Sequence, residues 1–300
     1  MNVFAVIVTY NAMRRGWIDR CLKSLVVSTC PVTPIVIDNG STDSTRDFVP
    51  SAYPDIVWLP QKRNLGFGQA NNIGIKYALD HQADYILLLN QDAALSPDAI
   101  EKMLAVSDGI SLLSPLHLNG DGTQIDAMFR TSLRMVNNQI NDDLLIHHSL
   151  ADSYEAGEIC AACWLMPIAL IQKIGGFNPL FFQYSEDNNY YHRMLYHGVK
   201  TILVPSAYMY HDRQIRGDIQ AFKRKYLRRY LLLDAANINL SLFKRCGRWF
   251  RRLYVCYTKD LPRHQYVPGT WLVEMCWLLG HTCVIAKSRK KERKQQMTWL

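Results

Sequence analysis

The 300-residue sequence has no apolar run long enough to cross a bilayer. The nearest stretch, Thr270–Ala286, spans 17 residues and is interrupted by Glu274, Gly280 and His281. A membrane-spanning helix needs about 20 predominantly apolar residues, so an interfacial or core-packed helix is expected there. The apolar opening, Met1–Tyr10, has no basic segment before it and reads as a first strand rather than a secretory signal. Eight cysteines lack the spacing of a disulfide framework, and reduced thiols in a cytoplasmic setting are the expectation. Cys160 and Cys163 have the spacing of half a zinc site, but no second Cys/His pair follows, and Ile159, Trp164, Leu165 and Met166 around them are apolar. A buried structural strand is therefore expected at that position. The first apolar run is not followed by G-x-G-x-x-G, which argues against a dinucleotide pyrophosphate grip.

What is present is enough apolar material, 49% of the residues, to bury a sizeable core. Charge is split unevenly. Residues 1–212 carry 14 Lys/Arg and 21 Asp/Glu, a net −7, whereas residues 213–300 carry 20 and 5, a net +15. The basic part interleaves aromatics, as in Arg248, Trp249, Phe250, Arg251, Arg252 and Tyr254. Such a region suits an anionic membrane surface or nucleic acid, or is simply a solvated helical face.

Strand-like and helix-like segments alternate through the first hundred residues. Apolar runs at 3–9, 34–38, 56–59 and 85–89 are separated by helical patterns at 16–27 and 67–81. Ser41 or Thr42 is placed to cap a helix, and Ser96-Pro97 to start another. The alternation predicts an α/β fold with a mixed, mainly parallel sheet flanked by helices. Residues 117–157 are polar and without clear period, and are expected to be loop. Strand character returns at 159–166, 201–205 and 208–211; from about 218 long basic helical runs follow, ending in a charge cluster, Lys287–Lys294, expected in solvent. The expected organisation is one domain over 1–212 and a basic, aromatic helical region over 213–300.

Three acidic sites stand at the ends of apolar runs or just beyond an aromatic loop. Open α/β sheets present their ligand crevice at strand ends. Asp38 is placed to accept hydrogen bonds from a base or ribose, or to cap the following turn. Asn64, Gly66 and Asn72 belong to a glycine-bearing loop that runs into a helix start, where backbone N–H groups meet anions, with Arg63 just ahead of it. Asn90, Gln91 and Asp92 follow the most apolar strand; a carboxylate there can hold a divalent ion on a diphosphate, or close a turn. Glu186 and Asp187 open a helix, where they act as dipole-favoured caps or as a general base. His211, a lone histidine at a strand end, is a structural side chain or a further donor for a Mn²⁺-like ion.

Taken together the segments resemble the family 2 glycosyltransferases of GT-A fold, over about residues 2–212. The likeness rests on Thr9-Tyr10-Asn11, the run from Val36 through Asp38 to Asp43, Asn64-x-Gly66 through Asn72-x-Gly74, Leu87 through Asp92, Gly175-Gly176-Phe177, and Phe182 through Asp187. The resemblance implies that Asp38, with Thr9, Tyr10 and Asn11, lines the nucleotide pocket, and that Asp92 ends the metal motif. It further implies that Asp187 is the catalytic base with Glu186 beside it, and that His211 completes the metal shell. Gly175-Gly176-Phe177 would support the acceptor side.

Two positions depart from the family pattern. The metal motif begins with Asn90 rather than Asp, as in bacterial rhamnosyltransferase-like members, and Asn188-Asn189 follow the acidic pair. The implied activity is inverting transfer of a sugar from a UDP- or dTDP-sugar, dTDP-rhamnose among them, to a glycan or lipid-linked hydroxyl, with Mg²⁺ or Mn²⁺ as cofactor. An anionic membrane surface at the cytoplasmic face is the expected second partner, and nucleic acid is not expected. A sugar nucleotidyltransferase would place a glycine-rich basic loop after the first strand, where Thr9-Tyr10-Asn11-Ala12 stands instead. A nucleic-acid-binding protein would use the basic region alone, without any accompanying motif.

Overall fold

The computed structural model describes residues 1–133, 139–212, 219–255, 257–258 and 269–300. Residues 134–138 of the expected irregular middle, and 213–218, 256 and 259–268 of the expected basic region, lie outside the described residues. The strands are β1 (Val3–Thr9), β2 (Val32–Asp38), β3 (Val57–Trp58), β4 (Tyr85–Leu89), β5 (Ala93–Leu95), β6 (Leu112–Asn119), β7 (Tyr154–Ala156), β8 (Cys163–Pro167) and β9 (Thr201–His211). They form one sheet in the order β3-β2-β1-β4-β8-β6-β9-β5, with β7 also paired to β9. The pairings β1–β2, β1–β4, β2–β3 and β6–β9 are parallel, and β8 lies antiparallel to both β4 and β6. Six strands therefore run the same way, and their carboxyl ends lie along one edge.

The helices are α1 (Trp17–Val26), α2 (Thr45–Ala52), α3 (Phe67–Asp80), α4 (Ala99–Ala105), α5 (Ala127–Leu133), α6 (Gln139–Asp142), α7 (Ile168–Ile174) and α8 (Glu186–Tyr196). After β9 come α9 (Ile219–Ala236), α10 (Leu242–Val255), α11 (Thr270–Gly280) and α12 (Thr282–Glu292). Strand residues alternate between two faces, and β1 shows the consequence. Val3, Ala5 and Ile7 pack with Ile18, Cys21 and Leu22 of α1 in one core, while Phe4 and Val6 join Ala70, Ile75 and Ala78 of α3 in another. Burial on both faces explains why β1 is an unbroken apolar run. Helix α3 lies so close to the sheet that a Cβ on Gly74 would sit 2.5 Å from Val6 Cγ1 and 2.7 Å from Ile37 Cδ1.

Several local expectations change. Residues 117–157 contain the end of β6, two short helices and β7 rather than loop alone. Pro115 hid β6, since proline removes a ladder donor and is rare inside sheets; here it sits at the point where the β6–β9 register shifts. The runs at 201–205 and 208–211 are one strand across that irregularity. The helix expected at Ser96-Pro97 starts at Ala99, because the Ser96 hydroxyl donates to Asp98 Oδ1 (3.0 Å) instead of capping. Cys163 lies fully buried in β8, and burial pushes its thiol pKa up. Thr270–Ala286 is two helices that meet at His281, and among the described residues no helix is long and apolar enough to cross a membrane.

The cluster Lys287–Lys294 is not wholly in solvent. Arg289 donates to the carbonyls of Ala235, Asn237 and Leu240, and Glu292 Oε1 accepts from Asn178 Nδ2 (2.7 Å) and Asn189 Nδ2 (2.9 Å). Buried charge needs such partners, and here the partners join α12 to α8 and α9. Leu231 and Leu232 of α9, Leu278 of α11 and Ile285 of α12 form a further core with Phe181. Gly176 donates its N–H to Thr298 O (2.8 Å), and Leu300 packs on the α3 core.

Gly74→Ala should destabilise the protein by about 1–3 kcal/mol, the usual cost of overpacking, and lower the urea midpoint. Gly247→Ala, where a Cβ meets nothing within 4 Å, should leave the midpoint unchanged or raise it.

Candidate active site

Strand β1 lies between β2 and β4, the point from which the order runs outward in both directions. At such a switch point the strand ends diverge and leave a crevice. Thr9 and Asp38 are register partners there, both fully buried. Asp38 Oδ2 accepts from Arg46 Nε (2.7 Å), and both carboxylate oxygens accept the Ser41 N–H at 3.2 and 3.3 Å. A carboxylate offers about four acceptor positions, so these bonds aim Asp38 without exhausting it. Arg46, itself exposed, escaped the sequence reading, because nothing in the spacing eight residues on marks it as the partner of a buried acid.

The loop after β1 is stitched to the loop after β2. Asn11 adopts a left-handed φ of 50° and its Oδ1 accepts from the Thr42 N–H at 2.8 Å. The Asn11 N–H donates to Ser41 Oγ (3.0 Å), and the Ala12 N–H to Thr45 Oγ1 (2.9 Å). Ser41 and Thr42 therefore brace two loops rather than cap α2, whose N-cap is Ser44. Gln91 braces the third: its Oε1 accepts from the Tyr10 N–H (2.8 Å) and its Nε2 donates to Tyr10 O (3.3 Å). The Tyr10 ring is left exposed at the crevice.

Of the glycine-loop residues, Asn64 Oδ1 accepts from the Gly66 N–H (2.8 Å) and from Asn39 Nδ2 (3.1 Å), so it shapes the loop. Arg63 is exposed beside it. Asn72, expected among the nucleotide contacts, instead commits both amide groups to Phe177: Nδ2 donates to Phe177 O (2.8 Å) and Oδ1 accepts its N–H (2.7 Å). It supports the Gly175-Gly176-Phe177 segment from below. Asn90 ends β4, with its N–H on Ala162 O (2.9 Å) and its carbonyl accepting from Ala93 N–H (3.0 Å).

Asp92 and His211 meet across the β5–β9 pairing. Ala93 is the register partner of His211, the Asp212 N–H donates to Asp92 O (3.0 Å), and Asp92 Oδ1 lies 3.3 Å from His211 Nε2. His211 Nδ1 is buried and has no hydrogen-bond partner. Among the described residues no group of three or more His, Cys, Asp or Glu side chains could hold an ion. The pair nonetheless fits a divalent cation carried largely by a substrate diphosphate and water, since such an ion takes only one or two carboxylates from the protein.

The third acidic site opens α8. Tyr184 and Ser185 ahead of it have left-handed φ values of 66° and 69°, a conformation that costs non-glycine residues and clusters at functional loops. Glu186 is buried, and its Oε2 has no hydrogen-bond partner. Burial, then the charge of Asp187, pushes its pKa up to about 8. Glu158, unmarked in the sequence, faces the same charge: burial and Asp187 raise its pKa to about 7. Burial first, and the Asp187 charge second, favour the protonated form of both glutamates. Glu158 sits in an aperiodic loop ahead of β8, which is why no pattern revealed it.

The two sides of the crevice touch at Gly66. Its φ is +83°, a Cβ there would lie 1.9 Å from Phe182 O, and the neighbouring Phe67 N–H donates to that same oxygen at 3.2 Å. The nucleotide-side loop and the loop leading to Asp187 are thus held together by main chain.

Residues 4–110 match the sequence model of Glycosyl transferase family 2, and the fold is that of GT-A glycosyltransferases. The chain is similar to the N-acetylglucosaminyl-diphospho-decaprenol L-rhamnosyltransferase of Mycobacterium tuberculosis, with 26% identity over 220 residues, 65% of this chain and 72% of that one. Among solved structures it resembles S. aureus TarS in complex with UDP-GlcNAc, at a TM-score of 0.59 and 15% identity, covering 97% of this chain and 90% of that one. It also resembles the mannosyltransferase PcManGT from Pyrobaculum calidifontis in complex with GDP-Man and Mn²⁺, at a TM-score of 0.58 and 15% identity, covering 97% and 80%.

Glu158 and Glu186 bind protons more tightly folded than unfolded, between the ordinary value of 4.5 and about 7 and 8. The stability they add is full in acid and lost as pH rises through 7 to 8, because the folded state holds the extra protons. Urea unfolding across pH 5–8 should show this decline in the parent protein. Glu186→Gln should flatten it and be the more stable form at pH 8, by on the order of a few kcal/mol. An unchanged slope would contradict the buried, proton-bound carboxyl.

Proposed function

We propose that the protein is an inverting glycosyltransferase that moves a sugar from a nucleoside diphosphate donor to a hydroxyl of a glycan or lipid-linked acceptor. The observation that carries this reading is the shared edge: Thr9, Asp38, Asp92 and His211 come from strand ends of one crevice, and Asp187 faces it from the loop clasped to Gly66. Asp38, aimed by Arg46 and Ser41, receives the base, with Thr9, Tyr10 and Asn11 around it. Asp92 and His211 would hold Mg²⁺ or Mn²⁺, which when bound neutralises the diphosphate leaving group. Asn90 in place of an acid lowers the negative charge at that position.

Asp187 takes the proton of the acceptor hydroxyl as its oxygen attacks the anomeric carbon, opposite the departing nucleotide. One displacement inverts that carbon and leaves no covalent enzyme intermediate. Burial and the Asp187 charge raise Glu186 and Glu158 toward the protonated form, which leaves Asp187 as the base in this reading. The rhamnosyltransferase likeness and Asn90 both favour a deoxyhexose donor such as dTDP-rhamnose, and the relative's lipid-linked substrate favours an acceptor of that kind.

Thermal unfolding against UDP, dTDP and GDP, each with and without Mn²⁺, tests the donor side, since a ligand of the folded state at 100 times its Kd adds about 2.7 kcal/mol. Asp92→Asn should abolish the metal-dependent part of the shift. Asp187→Asn should keep that shift and lose transfer by about 10²–10⁴-fold, the range of a general base. Full activity in Asp187→Asn would sink the assigned role.

The membrane partner rests on α10. Asp234 on α9 is buried and accepts from Arg248 and Arg252, and Trp249 packs beside that core. On α10, Phe243, Phe250 and Tyr254, spaced at i, i+7 and i+11, are 88, 73 and 67% exposed, with Lys244 and Arg251 beside them. Aromatic and basic side chains sharing one outer face suit the boundary of an anionic bilayer. The protein should float with anionic liposomes at low salt, and replacing Phe243 and Phe250 by Ser should release it. Equal flotation of both forms would move the contact elsewhere.

A further inference from the structure

A cavity of about 490 Å³ lies between the loop that leads into α8 and the helices α9 and α11. The volume is that of a small-molecule site, and none of the residues assigned to the donor lines it. Its depth is apolar, with Phe181 and Leu232 from the core shared by these helices, and Trp277 beside them.

The remaining lining is cationic. Arg228 is gripped by Glu274 through two bonds, Nε to Oε2 at 2.6 Å and Nη2 to Oε1 at 3.1 Å, and lies 4.9 Å over the Trp277 ring. Arg229 lies 4.5 Å over the ring of Tyr184. The lining thus holds two guanidinium groups, each set against an aromatic ring, and one carboxylate. Guanidinium planes stacked on aromatics are pre-organised for phosphate oxygens.

The cavity is also in line with the chemistry. Tyr184 stands three residues before Asp187, and Arg229 lies near enough to Glu186 to act on its charge. The cavity and Asp187 are thus joined by the same loop, and Tyr184 lines the cavity. The outer side of α11 exposes Leu272, Val273 and Leu279, so a chain leaving the cavity along this helix stays on apolar surface.

We propose that this cavity anchors the acceptor by a phosphate ester joined to an apolar chain, so that α9 and α11 select the acceptor. The inference rests on Asp187 marking the acceptor side. Farnesyl diphosphate is the probe, with farnesol and inorganic pyrophosphate as its separate halves, titrated calorimetrically into the full chain. Farnesyl diphosphate should bind at least roughly tenfold more tightly than either half, a difference of one decade in Kd. Arg229→Ala and Leu232→Trp should each weaken it by about tenfold or more, with the nucleotide-induced thermal shift retained as proof of folding.

Absent binding, or equal binding by parent and both variants, would overturn the anchoring site while a preserved nucleotide shift left the transferase reading standing. Pyrophosphate binding as tightly as the farnesyl ester would reduce the site to an anion contact and overturn the apolar half. Loss of the nucleotide shift in the parent protein would overturn both readings together.

Discussion

Phe182 turns its carbonyl oxygen onto the amide of Phe67, across a glycine that has no space for a side chain. The rest of the site depends on that main-chain contact. It ties the first turn of α3, which reaches back under β1 and β2, to the loop that delivers Asp187. Beneath it, Asn72 clasps Phe177 by both amide groups, and the fully buried Arg193 donates to the carbonyls of Ile174 (2.9 Å) and Gly176 (2.6 Å). Arg193 is sandwiched between the rings of Tyr190 and Trp299, 4.6 and 4.9 Å from its guanidinium carbon. An uncompensated buried charge is costly, so this arginine persists only while the segment it holds stays folded around it.

The crevice uses charge in two ways. Buried Asp38 has Arg46 and the Ser41 N–H, and half-buried Asp92 has His211. At the start of α8, burial and the charge of Asp187 raise Glu186 and Glu158 toward the protonated form. The first arrangement fixes geometry, and the second disfavours added charge. Both follow from the same rule, that low-dielectric surroundings penalise any charge left without a partner.

The parallel half of the sheet was legible because β1, β2 and β4 are buried on both faces and so read as unbroken apolar runs, each followed by a polar turn. The acidic positions at their ends were legible for the same reason. Asn72 and Gln91 stood out by polarity alone, and the structure sets their amides on the backbone of Phe177 and Tyr10: a side-chain amide serves a ligand or a backbone equally well, and no spacing tells which. Arg46 and Glu158 left no trace, since their partners lie eight and twenty-nine residues away with no period linking them. The basic texture of the last helices was visible, but not that Arg289 and Glu292 turn inward, because burial of a charge depends on partners brought from elsewhere in the chain.

That inward turn has a kinetic side. Asn178 meets Ser288 and Glu292 across 110 and 114 residues of chain, whereas Tyr10 meets Gln91 across 81 and Asn39 meets Asn64 across 25. Loop-closure entropy grows with separation and must be met before the contact returns anything. The contacts among the loops after β1, β2 and β4 therefore close shorter stretches of chain, at a lower entropic cost, than the contacts that seat α8 against α12.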